Sequence, residues 1–183
     1  MKMTLLDVNV VDVECTCWPR GEEPEGFLSE IIEIGLSLYN VQTGEVTCEG
    51  SIHILPSQVE ISPFCTELTG ITFDDLEYAE TLQEALPALT ANLLADQRVF
   101  ASYGDFDRLQ FERECEEKGI VYPFGRRHLN VKTLLAMKMG WSKELGMAEA
   151  MHKLGIEQLG RHHSAADDSF NIARLLKFAL GRW

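Results

Sequence analysis

Val8-Asn9-Val10-Val11-Asp12-Val13-Glu14-Cys15-Thr16-Cys17 is the stretch on which the reading of this chain turns. It is dominated by β-branched residues and reads as a strand. Side chains alternate along a strand, so Val11, Val13 and Cys15 share one face while Val10, Asp12 and Glu14 share the other. Positions i and i+2 on one face stand roughly 6.6 Å apart along the strand. Two carboxylates at that spacing can address a pair of divalent cations roughly 3.5–4 Å apart. Valines on both faces make the strand central and buried, where bare carboxylates are expensive. Metal removes that expense. Taken alone, D-x-E is equally compatible with an edge strand that has one wet face. The rest of the chain decides between the two.

The 183 residues suit one domain, 1–183, with a sizeable core. A hydrophobic content of 45% and a charged content of 25% are those of an ordinary soluble globule. Met1-Lys2-Met3-Thr4 lacks the pattern of a signal peptide, and no apolar run reaches the length of a membrane span. Cysteines 15, 17, 48, 65 and 115 are odd in number and form no C-x-x-C pair, which predicts reduced thiols and a cytoplasmic setting. Sixteen basic residues against twenty-nine acidic ones give a net charge of −13. Such acidity argues against a non-specific nucleic-acid coat, which needs basic surface. It leaves room for an enzyme that takes one strand end into a metal-filled cleft, because bound dications reverse the local sign.

Beyond the first strand, Trp18 to Gly26 is an acidic, turn-forming loop. Ile31 to Tyr39 and Val46 to Leu55 read as two further strands joined by a turn over Asn40–Glu45, which makes an antiparallel meander. Ser62 to Ala79 is mixed, with a short acidic helical turn from Phe73. Thr81-Leu82-Gln83-Glu84 is a capping box that opens a helix to about Ala95, with Pro87 inside it as an expected kink. A short strand at Arg98–Ser102 precedes a helix over Asp105–Lys118, with Leu109 and Phe111 on its apolar side. A last strand is expected at His128–Val131, then helices near Thr133–Met139, Met147–Leu154 and Ser164–Leu180. A meander followed by strands alternating with helices implies an α/β architecture: a mixed central sheet flanked by helices.

Two later segments can join Asp12 and Glu14. The strand ending at Ser102 runs into Tyr103-Gly104-Asp105-Phe106-Asp107, and a carboxylate at a strand's exit overlooks the cleft beside the sheet. Arg161-His162-His163-Ser164-Ala165-Ala166-Asp167-Asp168 opens the last helix. Ser164 with Asp167 three residues on is a capping-box pattern, which puts His163 at N′ and Asp168 at N4, positions that approach each other. Together these carboxylates suit two divalent cations, Mg²⁺ or Mn²⁺, with Asp12 best placed to bridge them. One ion would acidify a water whose proton His163 accepts, and the other would stabilise the leaving oxygen of a phosphodiester.

At these residues the chain resembles the DEDD superfamily of 3′→5′ exonucleases, in its histidine-bearing DnaQ-like branch, from about Val10 to Leu176. The finer likeness is to the histone-mRNA and small-RNA 3′-end exonucleases. It is carried by Val11–Cys17, by Ile61-Ser62-Pro63-Phe64-Cys65-Thr66-Glu67-Leu68-Thr69-Gly70-Ile71-Thr72, and by His163 to Ala173. The resemblance implies an RNase H-like fold, with Asp12, Glu14, Asp107 and Asp168 as metal ligands and His163 as general base. Asp105, Asp167 and His162 stand beside three of these as alternative assignments.

Phe64 and Phe106 are candidates to stack on a terminal base, and Thr16 is a third substrate-binding candidate. Arg108, Arg126, Arg127 and Arg161 are candidate phosphate contacts or ordinary solvated surface. The acidic stretch Gly21–Glu25 is expected close to the active strand, where it would repel long polyanions. The function expected is metal-dependent release of 5′-mononucleotides from single-stranded 3′ ends, RNA favoured over DNA, with no membrane partner and no protein partner assigned. The alternatives are a DNA-directed repair or proofreading exonuclease, and a non-catalytic nucleic-acid-binding module on the same fold.

Overall fold

The computed structural model of the chain describes residues 5–57 and 60–181. The Met1–Thr4 stretch inspected for a leader pattern lies outside them. Among the described residues five strands pair side by side: β1 (Asp7–Cys15), β2 (Ile31–Asn40), β3 (Val46–His53), β4 (Val99–Ser102) and β5 (His128–Asn130), in the order β3-β2-β1-β4-β5. The β1–β2 and β2–β3 pairs are antiparallel, and the β1–β4 and β4–β5 pairs are parallel. The sheet is therefore mixed, and β1 is central, as its flanking valines require.

Seven helices complete the described chain: α1 (Pro63–Thr69), α2 (Phe73–Leu76), α3 (Leu82–Leu93), α4 (Phe106–Lys118), α5 (Val131–Met139), α6 (Met147–Leu154) and α7 (Ala165–Ala179). The alternation along β1 sorts them. Val8 and Val10 pack into one core with Leu135, Met151, Ile172 and Leu176 of α5, α6 and α7. Val11, Val13 and Cys15 pack into another with Leu86, Leu89, Phe111 and Cys115 of α3 and α4. Helices thus cover both faces. No described helix is long and apolar enough to cross a membrane.

The Thr81 capping box forms, with the Thr81 N–H donating to the Glu84 carboxylate at 2.9 Å. Two local expectations change. Pro63–Thr69 is a helix rather than irregular chain: Ser62 caps it by accepting from the Cys65 N–H, Pro63 supplies a helical φ at N1, and Gly70 closes it at φ +77°. Leu109 is exposed, because α4 buries Asp107, Gln110, Phe111, Glu114 and Cys115, and only Phe111 of the expected pair lies on that face.

The seating of α7 positions everything that follows. Glu33, Gly35 and Ser37 alternate onto the face of β2 that meets it. A Cβ on Gly35 would come within 1.8 Å of the Ala165 carbonyl oxygen, so the first turn of the helix rests directly on strand backbone. The buried Glu33 carboxylate accepts from the Ala165 N–H at 3.0 Å, satisfying an orphan donor at the positive end of the helix dipole. Ser37 and Ser169 share a hydroxyl hydrogen bond at 3.1 Å one turn later. Gly35→Ala is expected to cost about 1–3 kcal/mol, the usual penalty of overpacking. In a chain of this size that lowers Tm by roughly 2–12 °C, read by thermal denaturation. An unchanged Tm would mean that α7 is free to slide off β2.

Candidate active site

Asp12 and Glu14 project from β1 opposite Gly35 and Glu33 of β2. Parallel pairing of β1 with β4 covers only Val8 to Val10, so the strand runs past β4 before it reaches Asp12. The Val13 N–H, left without a ladder partner on that side, donates instead to Asp107 Oδ1 at 3.0 Å. Asp107 lies in the first turn of α4, delivered by the chain leaving β4. Asp105 faces elsewhere, 3.3 Å from Arg108 and within hydrogen-bonding distance of Asn130.

Asp168 arrives on the first turn of α7 and is buried. Ser164 is the N-cap by position but makes no side-chain cap bond, and the Asp167 carboxylate accepts from the Arg161 N–H at 2.8 Å rather than closing a capping box. The His163 ring comes within 4.8 Å of Asp168, as expected, but the ring hydrogen-bonded to that carboxylate is that of His162. His163 adopts φ +63°, which turns its imidazole towards Glu14, with Nδ1 3.8 Å from Oε1. Asp168 receives the His163 backbone N–H at 2.9 Å and lies 3.0 Å from His162 Nδ1. The two imidazoles stack with centroids 4.0 Å apart.

Asp12, Glu14 and Asp168 each offer an oxygen within 4.8 Å of the others, and His162, His163 and Asp168 form a second such set around the same carboxylate. This crowding is electrostatically costly. Desolvation first, then the charges of Asp168, Glu33 and Asp107, push Glu14 up to about 8. Asp12 is pushed well above the ordinary range by desolvation and then by Asp107, Glu14, Asp168 and Glu33. Desolvation lifts Asp107 to about 6 against the opposing Val13 N–H bond, and lifts Asp168 as well. Arg161 relieves Glu14 only in part. A set of hard oxygen donors that repel one another fits a divalent cation, which would replace mutual repulsion with attraction. His163 is held below its ordinary value by desolvation, then by the neighbouring His162 charge, so its ring is neutral near pH 7.

These groups line a cleft of about 540 Å³. Phe106 is 58% exposed at its wall, and Thr16 lines it while its hydroxyl accepts from the Glu30 N–H. Phe64 is also exposed, on α1, but is not among the residues lining the cleft. Trp18, Phe27, Leu68, Tyr103 and Met147 line the cleft without having been anticipated, and Glu23 brings the acidic loop to it as expected. Glu33 was also missed, although a lone carboxylate inside Ile31-Ile32-Glu33-Ile34 is a visible signal.

Comparison with known proteins adds four findings. A family model described as an exonuclease, RNase_T, matches residues 10–176. The 3′-5′ exonuclease Snipper of Drosophila melanogaster is 29% identical over 192 residues, covering 92% of this chain and 67% of that protein. The ERI1 exoribonuclease 3 of Homo sapiens is 28% identical over 180 residues, covering 92% of this chain and 52% of its own length. The chain thus spans between about half and two thirds of these relatives. Among solved structures, the nuclease domain of 3′hExo, a DEDDh family member bound to rAMP, superposes with a TM-score of 0.80 at 25% identity, covering 97% of this chain and 93% of that one. The mixed sheet and its flanking helices are therefore the RNase H-like exonuclease fold.

The repulsion has a measurable signature. Glu14 titrates near 4.5 when unfolded and about 8 when folded, so its stabilising contribution is complete below 4.5 and lost as pH rises through 8. His163 and His128 are depressed and act in the opposite sense, but only up to about their ordinary 6.5. Between pH 7 and 8 the Tm of the chelator-treated protein should therefore fall, and Mn²⁺ should raise it more at pH 8 than at pH 7. Glu14→Gln should flatten the slope. A Tm that rises across this interval, with no differential metal effect, would contradict the assigned cluster.

Proposed function

The chain belongs to the RNase_T exonuclease family, and from that premise we propose that residues 1–183 act as one catalytic domain that removes 5′-mononucleotides from single-stranded 3′ ends, RNA in preference to DNA. The observation that carries this reading is the convergence of Asp12, Glu14 and Asp168 within 4.8 Å, beside Asp107 and His163, in a cleft walled by aromatic side chains. The preference for RNA rests on the exoribonuclease relative and on the rAMP bound in the similar nuclease domain. Five unbridged cysteines fit a cytoplasmic setting.

Asp12, Glu14, Asp107 and Asp168 would hold two divalent cations, Mg²⁺ or Mn²⁺. When bound, such ions supply Lewis acidity at the phosphodiester and an acidified water. The remaining work falls to the chain. The neutral His163 imidazole accepts the proton of the attacking water, a task suited to a ring whose ordinary value is already near the working pH. The Val13 N–H fixes the orientation of the Asp107 carboxylate. Phe106 and Trp18 offer faces to the terminal base, where stacking is insensitive to sequence. Glu33 acts at one remove, by holding the N-terminus of α7 and hence Asp168.

With 5′-labelled RNA and a dication, the label should shorten in single-nucleotide steps. A 3′-phosphate should block shortening, and a closed circle should survive. Equal cutting of circles and linear strands would overturn the exonuclease reading.

The division of labour is tested separately. His163→Ala should leave metal affinity nearly intact by calorimetry while single-turnover rate falls on the order of 10²–10⁴-fold. Asp12→Asn should lose metal binding and activity together. If His163→Ala abolishes metal binding, the ring is a ligand and not a base.

A further inference from the structure

The cleft described above is an anomaly for a nucleic-acid enzyme, because among the described residues its lining sets five carboxylates against two histidines. Asp12, Glu14, Glu23, Asp107 and Asp168 line it, and no described Lys or Arg does. Two arginines close to it are hydrogen-bonded elsewhere, and the charge of Arg161 offsets Glu14 only in part. Arg161 directs its guanidinium at the Glu67 and Leu68 carbonyls, 3.4 and 3.1 Å away. Arg113 is bound to Glu117 and to Ser29. The loop that brings Glu23 to the cleft carries Glu22 and Glu25 on exposed turns, with Arg20 as its single cation. Two turns shape this loop, through Glu22 N–H to Pro19 and Phe27 N–H to Pro24, and Glu23 closes back on the Gly21 N–H at 2.6 Å. The whole chain carries a net charge of −13.

Grip in this cleft is instead apolar. Trp18, Phe27, Leu68, Tyr103, Phe106 and Met147 line it, and about 540 Å³ is the scale of a small-molecule pocket rather than of an extended groove. A strand tail leaving such a cleft meets acidic surface. Each phosphate beyond the metal-held end adds repulsion, over a screening length of about 10 Å at 0.1 M salt.

We infer that the substrates are short single-stranded oligonucleotides, a few nucleotides long, and that the Gly21–Glu25 loop is the element that disfavours long strands. This deepens the exonuclease reading and rests on it. A longer strand is engaged only by its terminal nucleotides and released after each cut, since nothing along its tail retains it.

The readout is the ratio of kcat/KM for a twenty-nucleotide RNA to that for a trinucleotide of matching 3′ end, with Mn²⁺ held constant. At about 20 mM salt the ratio should be on the order of 0.1, and it should climb towards one at about 300 mM as the repulsion is screened. This is opposite in sign to a basic groove, where salt weakens the longer ligand more. Glu22→Lys with Glu25→Lys, both outside the cleft lining, should raise the low-salt ratio at least about threefold while trinucleotide turnover changes little. A ratio at or above one at low salt, or an unresponsive ratio in the double variant, overturns the inference and leaves the exonuclease reading standing. Failure to shorten RNA of either length overturns the exonuclease reading itself.

Discussion

The contact between the first turn of α7 and the backbone of β2 is the constraint on which the site depends. Gly35 gives the helix room to reach the strand, and Glu33 supplies the acceptor that the buried Ala165 N–H requires. That close approach puts Asp168 beside Asp12 and Glu14, which stand on the neighbouring strand in register with those same two residues. A larger residue at position 35 would separate the helix from the sheet, and the carboxylates with it. Packing and chemistry are decided at one place.

The outcome is a concentration of negative charge that folding alone does not favour. Burial lifts all four carboxylates, and at Asp12 and Glu14 the neighbouring acids lift them further, with Glu33 as a fifth charge in the field. The seating of α7, the Val13 N–H on Asp107 and the His162 and His163 contacts to Asp168 hold them in place before any cation arrives. The polypeptide thus stores a repulsion that a dication is suited to relieve, and binding should couple tightly to stability.

Much of this was legible from residue order. Period-two alternation in Val8–Cys15 assigned Asp12 and Glu14 to one face, and the Thr81–Glu84 capping box located the start of α3. What escaped sequence reasoning was non-local or conformational. The partner of Glu33 is 132 residues away, so a lone acid in an apolar strand signals a bond without naming its donor. His163 has a positive φ, and it is the His162 ring that hydrogen-bonds Asp168 while both rings stay within 4.8 Å of it; capping rules assume that the residue before the N-cap is extended. Phe64 was quoted within a motif, but it is not among the residues that line the cleft.

The acidic centre draws on β1, on the start of α4 and on the start of α7, so its members span the chain from residue 12 to residue 168. A ribosome that has made β1 through α6 has made most of the fold and none of the completed centre. The acidic centre is therefore completed as a step, when α7 docks, and not by increments as the chain lengthens.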